Sequence, residues 1–226
     1  MKTILILDTE TSSLDPSTGQ LLEVATALWS VEHRSLVKAR SWILRATSNE
    51  AEAVNGIPTA LVSNHPHATD MKMTESWVLG WAKEADAIVA HGDFDRKWFG
   101  EQIQSCVWID SCDDIEWPRA STSRSLVSLA LAHGVGVSHA HRALSDVMTL
   151  VQLFERAAEM TDVAAMLAKA ARPKKSYRAI VSYDTNALAK QAGFRWDPDR
   201  KIWHRRIAVE DVATKEWPFK LEEVAA

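Results

Sequence analysis

The sequence predicts an α/β domain with a mixed sheet flanked by helices, followed by a small α+β module. Three observations carry this. The chain opens on Ile4-Leu5-Ile6-Leu7, a continuous apolar run that reads as a buried central strand. Two more strand-like segments, Leu21 to Trp29 and Ser35 to Leu44, follow before any helical periodicity, as in an antiparallel meander. Short apolar runs then alternate with helical patterns, and that order gives a mixed sheet.

The elements follow in order. Ser12 to Gly19 is rich in turn residues and joins the first two strands. Asn55-Gly56-Ile57-Pro58 is a turn. A helix is expected from Thr74, as N-cap, to about Ala85, then a buried strand at Ala87 to Ala90. His91-Gly92-Asp93-Phe94-Asp95 leads into a helix reaching about Ser105, and Val107-Trp108-Ile109 forms another strand. Asp110 to Ser123 is a polar connection. Leu126 to His133 is amphipathic, with Gly134 placed as its left-handed stop. Arg142 to about Met160 is the longest helix, and Asp162 to Ala171 is a second piece.

A change in charge marks the second module. The chain has 226 residues and a net charge of -4. From residue 172 onward there are 12 Lys and Arg against 8 Asp and Glu; before it there are 14 against 22. The expected organisation is a domain over 1–171, a basic linker over 172–176 and a small module over 177–226. In that module a strand is expected at Ala179 to Tyr183, a helix at Thr185 to Ala192, and a hairpin joining Phe194-Arg195-Trp196 to Ile202 through Arg206. Phe194, Trp196 and Trp203 are expected in its core. Arg195, Arg200, Lys201, Arg205 and Arg206 form a candidate phosphate-contacting rim for nucleic acid, though a protein partner would suit the tail as well. Two cysteines, Cys106 and Cys112, make no disulfide framework, so a cytoplasmic setting is expected. Asp8 and Glu10 interrupt the first apolar run too early for a signal peptide, and no apolar stretch is long enough for a bilayer.

The chemistry-bearing residues begin where the first strand ends. Asp8 and Glu10 are two apart, so on a strand they face the same side. Two carboxylates there repel and are costly to desolvate. A divalent cation with hard oxygen ligands would remove both costs; a strand that simply runs out into a polar turn explains the pair equally well. Asp95 follows the strand ending at Ala90, and Asp146 lies in the first turns of the longest helix, preceded by His141. Carboxylates at strand ends and helix starts, brought together by a mixed sheet, are the ingredients of a two-cation phosphodiester site. Glu23 lies beside this site on the second strand and reads as a polar residue at a strand start. Asp93 reads as a solvated loop charge, and His133 as a helix-end residue favourable to the dipole.

Asp8-Thr9-Glu10, His91-x-x-Phe94-Asp95 and His141-Arg142-Ala143-Leu144-Ser145-Asp146 resemble, in order and spacing, the three motifs of the DEDDh 3′–5′ exonucleases. The resemblance covers about residues 1–160, and the layout is most similar to exonuclease X and to the polymerase III proofreading subunit. It implies a ribonuclease H-like fold and two divalent cations, Mg²⁺ or Mn²⁺. Asp8 would bridge both cations. Glu10 and Asp146 would complete the site of the cation holding the attacking water, and Asp95 would hold the second. His141 would be the general base; only a neutral imidazole accepts the proton, so activity should rise with pH through the titration of His141. Thr11 and Leu14 would hold the terminal sugar and wedge against the terminal base. His91 would have a supporting role at the substrate. The family's usual Thr-Thr-Gly-Leu is here Thr11-Ser12-Ser13-Leu14, which asks Ser13 to supply the turn. The expected activity is release of nucleoside 5′-monophosphates from single-stranded or frayed 3′ ends, with DNA favoured over RNA. The alternatives are an exoribonuclease or oligoribonuclease-like enzyme, and a non-catalytic subunit held to a polymerase by its tail.

Overall fold

The computed structural model describes residues 1–121 and 123–224. Residue 122 of the expected connection and the last two residues of the expected module lie outside the described residues. The chain divides into two compact units, Met1–Ala171 and Arg172–Ala226.

The first unit is built on a five-stranded sheet. Its strands are β1 (Thr3–Thr11), β2 (Leu21–Ser30), β3 (Ser35–Ile43), β4 (Ala87–Ala90) and β5 (Trp108–Asp110), in the order β3-β2-β1-β4-β5. β1 to β3 pair antiparallel, while β4 and β5 run parallel to β1. The central place of β1 follows from its sequence: Ile4, Leu5, Ile6 and Leu7 are all fully buried, as only a strand covered on both faces allows.

The helices are α1 (Glu52–Asn55), α2 (Thr59–Asn64), α3 (Met71–Ala82), α4 (Glu101–Gln104), α5 (Leu126–Ala132), α6 (Ala143–Ala157) and α7 (Val163–Ala170). Period-two alternation divides the core. Ile4 and Ile6 pack with Ala25, Ala27 and Trp29 against Val147, Leu150 and Phe154 of α6. Leu5 and Leu7 pack on the other side with Trp42, Val78 of α3 and Ile103 of α4. Asp8 and Glu10 continue the Ile4–Ile6 side, so the β1 carboxylates face α6.

Several expectations are corrected in detail. α3 starts four residues early because Asp70, not Thr74, caps it: its side chain accepts from the Met73 N–H at 2.8 Å. Thr74 is instead buried in the helix. The helix expected after Asp95 is broken. A 3₁₀ turn covers Asp95–Trp98, and α4 begins only after Phe99 turns extended and Gly100 intervenes. α1 and α2 were not anticipated; α1 is one short turn ended by Gly56 at φ 63°, too brief for a periodic signal. Gly134 stops α5 at φ 74° as expected. His133 is the C-cap of α5, as expected of a helix-end residue, and is fully buried: Nδ1 donates to the Leu129 carbonyl at 2.8 Å and Nε2 accepts from the Arg119 N–H at 3.3 Å.

The second unit has a four-stranded antiparallel sheet of β6 (Lys174–Ile180), β7 (Arg195–Asp197), β8 (Ile202–Ala208) and β9 (Lys220–Val224), ordered β7-β8-β6-β9. Residues 172–176 are not a linker throughout, since β6 begins at Lys174, opposite Ala208. Its lysines disguised it: a half-exposed strand tolerates basic side chains whose stems lie along the sheet. α8 (Asn186–Gln191) and α9 (Val209–Thr214) send Ala189 and Val212 into one core with Tyr177, Ala179, Phe194 and Ile207. Trp203 packs partly against it, but Trp196 is 50% exposed. The expectation that Trp196 belongs to the core is therefore corrected; β7 is an edge strand, and its ring rests on Trp203 at 5.8 Å.

Candidate active site

The site forms at the carboxyl end of β1, where the apolar run ends. Asp8, Glu10 and Asp146 each offer a carboxylate oxygen, and these atoms lie within 4.8 Å of one another. β1 supplies two of them by period two, and the first turn of α6 supplies the third. Among the described residues, none donates a hydrogen bond to the carboxylate of Asp8 or Glu10. Asp146 accepts one, from the backbone N–H of His141 at 3.1 Å.

Electrostatics follow from this crowding. Asp8 titrates well above the ordinary carboxylate range, first because it is buried and then because Asp95, Asp146 and Glu10 repel its charge. Glu10 is pushed up to about 8, by burial and then by Asp146 and Glu23. Asp146 is raised mainly by burial. Hard oxygen donors that cannot all ionise unaided, and that share a single hydrogen-bond donor among the three, fit a divalent cation.

Asp95 is not one of the three converging carboxylates. It is 3% exposed and its Oδ1 accepts from the Thr9 hydroxyl at 2.6 Å. Burial raises it to about 6. It still lies close enough to Asp8 to be the largest charge acting there. Thr9, between the two β1 carboxylates, thus ties Asp95 to the same strand from its other side.

His141 is exposed and takes a left-handed backbone, φ 63°. Only two other non-glycine residues among those described have positive φ, Arg34 and Lys201. Ser13 is not one of them, so the loss of the family's glycine places no backbone strain there. The turn is instead closed by Thr11, whose hydroxyl donates to the Ser13 carbonyl at 2.7 Å, and by Gly19. A Cβ on Gly19 would collide with the Ser13 hydroxyl and approach Trp98 to 2.8 Å. Leu14 projects from this turn, 80% exposed, while Lys97 Nζ donates to its carbonyl at 2.9 Å.

His91 has both ring nitrogens engaged. Nε2 donates to the Arg124 carbonyl at 2.8 Å, which leaves Nδ1 to accept from the Ser111 hydroxyl at 2.9 Å. Its ring therefore fixes the 110–124 connection to the end of β4. The first part of that connection is anchored: Asp110 accepts from the N–H groups of Gly92 and Cys112, and Trp117 donates to the Ser111 carbonyl at 2.7 Å. Asp93 is exposed, as expected of a solvated loop charge.

Glu23 was underestimated from sequence. It pairs directly opposite Glu10 across β1 and β2 and is 2% exposed. Arg142 Nε donates to one of its oxygens at 2.9 Å, and the Ser41 hydroxyl to the other at 2.6 Å. Arg142 lies between His141 and α6, so this ion pair, with Glu23 buried and Arg142 partly exposed, anchors the segment carrying both His141 and Asp146. The available signal was a carboxylate inside an otherwise apolar strand, which demands a cation.

In the second unit the five expected basic residues separate. Arg195 and Arg206 are exposed strand residues, while Arg200 and Lys201 occupy the hairpin loop. Arg205 lies on the helix-covered side, where its Nη1 donates to the Ala192 carbonyl at 2.6 Å and packs on Gly193. Arg205 Nη1 therefore caps α8, while the side chain remains exposed.

The chain is 24% identical over 176 residues to the PolC-type DNA polymerase III of Thermotoga maritima, a match covering 70% of this chain but 12% of that protein. Exonuclease X, solved in complex with 5′ overhanging duplex DNA, superposes with a TM-score of 0.57 at 23% identity, over 74% of this chain and 99% of that one. A 3′-exonuclease solved for its recognition of a histone mRNA stem-loop gives a TM-score of 0.55 at 14% identity, over 69% of this chain and 63% of that one. The chain thus shares the mixed-sheet α/β fold of these two solved exonuclease structures. Residues 175–224 match a family model described as a domain of unknown function (DUF8626). Among the described residues, no helix is long and apolar enough to cross a membrane.

Proposed function

We propose that the chain is a metal-dependent 3′–5′ exonuclease that releases nucleoside 5′-monophosphates from single-stranded or frayed 3′ ends. The observation that carries this is the convergence of Asp8, Glu10 and Asp146 within 4.8 Å, with His141 joined to Asp146 through its backbone. Asp8, Glu10 and Asp146, with Asp95 nearby, would hold two divalent cations, Mg²⁺ or Mn²⁺. Such cations supply charge stabilisation to a phosphodiester being cleaved and make water acidic enough to attack at neutral pH.

The remaining steps belong to this chain's side chains. The exposed His141 ring accepts the proton of the attacking water. The Glu23–Arg142 pair keeps its backbone at the mouth of the site. Thr9 holds Asp95 toward Asp8. Leu14 projects from a braced turn and separates the terminal base from its neighbour, which suits a frayed or unpaired end. DNA is the favoured substrate because the layout is similar to that of exonuclease X, which was solved with duplex DNA, and the polymerase likeness leaves room for a polymerase partner.

The test is digestion of matched 5′-labelled single-stranded DNA and RNA with Mg²⁺ or Mn²⁺, wild type beside Asp8→Ala. A ladder shortening from the 3′ end and lost in the variant supports the reading, and the faster substrate assigns the nucleic acid. Absence of cleavage of either by a folded wild-type protein overturns it.

A further inference from the structure

We propose that Asn55 is a positioning residue for the terminal nucleotide, acting through the main chain of Thr11. This role rests on the exonuclease reading, which it deepens. Between Glu10 and Thr11 the β1–β2 register slips: Glu10 lies opposite Glu23 but Thr11 opposite Leu21, so Leu22 is the extra residue of a bulge. The slip falls between the last β1 carboxylate and the turn that carries Leu14. A bulge disrupts the ladder locally, and a buried carbonyl there needs a donor from elsewhere.

That donor comes from 44 residues away. Asn55 is the buried residue of α1, and its Nδ2 donates to the Thr11 carbonyl at 3.2 Å. Its Oδ1 accepts from the Ile57 N–H at 3.0 Å and from Asn49 Nδ2 at 2.9 Å. The two backbone partners fix the orientation of the amide, since a carbonyl only accepts and an N–H only donates. Asn49, also buried, closes the loop: its Nδ2 donates to the Ile57 carbonyl at 2.7 Å, and its Oδ1 accepts from the Ala51 N–H at 3.0 Å. Ile57 in turn packs with Leu22, the bulged residue. Segment 49–57 is thus braced by two amides. Among the described residues, the bond from Asn55 to Thr11 is the one by which those amides reach outside the segment.

Thr11 passes the constraint on. Its hydroxyl donates to the Ser13 carbonyl at 2.7 Å. Ser12 is tied to Gln20 in both directions: its N–H donates to the Gln20 carbonyl, and its hydroxyl accepts from the Gln20 N–H, each at 2.9 Å. With the Thr11 carbonyl held at the base, the turn is fixed relative to Glu10. Thr11 and Leu14 are then set for the terminal sugar and base before substrate arrives, and binding need not order them. Losing the Asn55 bond loosens ground-state binding of the terminal nucleotide and leaves the carboxylates in place.

The test is steady-state cleavage of a 5′-labelled single-stranded oligothymidylate by the full chain in saturating Mg²⁺, with wild type, Asn55→Asp, Asn55→Ser and Asn49→Asp. Aspartate keeps the shape and the acceptor for Ile57 but loses the donor to Thr11. Serine is too short to reach Thr11 and adds no charge. Both should raise KM about tenfold, the worth of one hydrogen bond, with kcat changed by less than about twofold. Asn49→Asp adds the same charge and loses bonds within the loop but spares the one to Thr11, so it should keep the wild-type KM. A purely structural Asn55 would lower the amount of folded enzyme, and hence Vmax, at unchanged KM; that result overturns the proposal, as does an equal rise of KM in Asn49→Asp. Hydrogen–deuterium exchange reads the same link without cleavage: residues 11–19 should exchange faster in the Asn55 variants than in Asn49→Asp. Equal protection overturns the proposal, including where a variant is too unstable for kinetics. A folded wild type that cleaves nothing overturns the exonuclease reading and this role with it, whereas an unchanged KM in the Asn55 variants beside an active wild type overturns this role alone.

Discussion

Glu10→Gln should make the cation-free protein more stable while ending its cleavage activity. Glu10 shares its site with Asp8 and Asp146 and titrates near 8 in the fold, against 4.5 in an unfolded chain. Between those values the folded state holds a proton that the unfolded state releases. Stability is therefore fully present below 4.5 and is lost as pH rises through 8. At 1.36 kcal/mol per unit, the loss by pH 7 is about 3 kcal/mol. The carboxyl is only partly buried, and solvent screening reduces this to about 1.5 kcal/mol. Glutamine keeps the shape and removes the charge. In EDTA at pH 7 the variant should melt about 3–6 °C higher, given 2–4 °C per kcal/mol for a unit of this size. At pH 4.5 the two proteins should melt together. Saturating Mg²⁺ should reverse the order at pH 7, since a ligand at a hundredfold its Kd adds about 2.7 kcal/mol to the protein that binds it. Thermal denaturation followed by circular dichroism, in a pH series with and without Mg²⁺, measures all three. An equal gain at every pH, or none at pH 7, would refute the argument that like charge destabilises the empty site.

His141→Ala should reduce cleavage by about 10²–10⁴-fold, the usual contribution of a general base, with little change in melting temperature because the side chain is exposed. Arg142→Ala leaves Glu23 buried without its cation and should destabilise the protein by about 2–3 kcal/mol, less than a fully buried pair since Arg142 is partly exposed; Glu23→Gln should cost less, and chemical denaturation ranks them. Leu14→Ala should leave stability unchanged, because the side chain is 80% exposed, but should lower kcat/KM severalfold on paired more than on unpaired 3′ ends. Gly19→Ala should destabilise by about 1–3 kcal/mol, as its Cβ has no room beside Ser13 and Trp98.

The central strand was legible because four consecutive apolar residues require burial on both faces, and the spacing of Asp8 and Glu10 fixes their common side whatever surrounds them. The order of strands and helices, the Gly134 stop and the hairpin about residues 198–201 were likewise local in origin, carried by periodicity and turn chemistry. The lysine-bearing strand β6 and the brief helices α1 and α2 were not, because neither has a periodic apolar signature of its own. Contacts between distant segments decided the rest. Glu23 reads as an ordinary strand residue until the register sets it opposite Glu10 and α6 brings Arg142 to it. His91 and Arg205 carry the side chains of candidate contact residues, yet tertiary partners occupy them with Ser111, Arg124 and Ala192. Trp196 looks like core until β7 proves to be an edge. Local sequence determines which backbone a segment prefers and which way its side chains alternate. Whether a charge is paired, shared or left facing others depends on segments far away in the chain, and only the folded sheet brings those within reach.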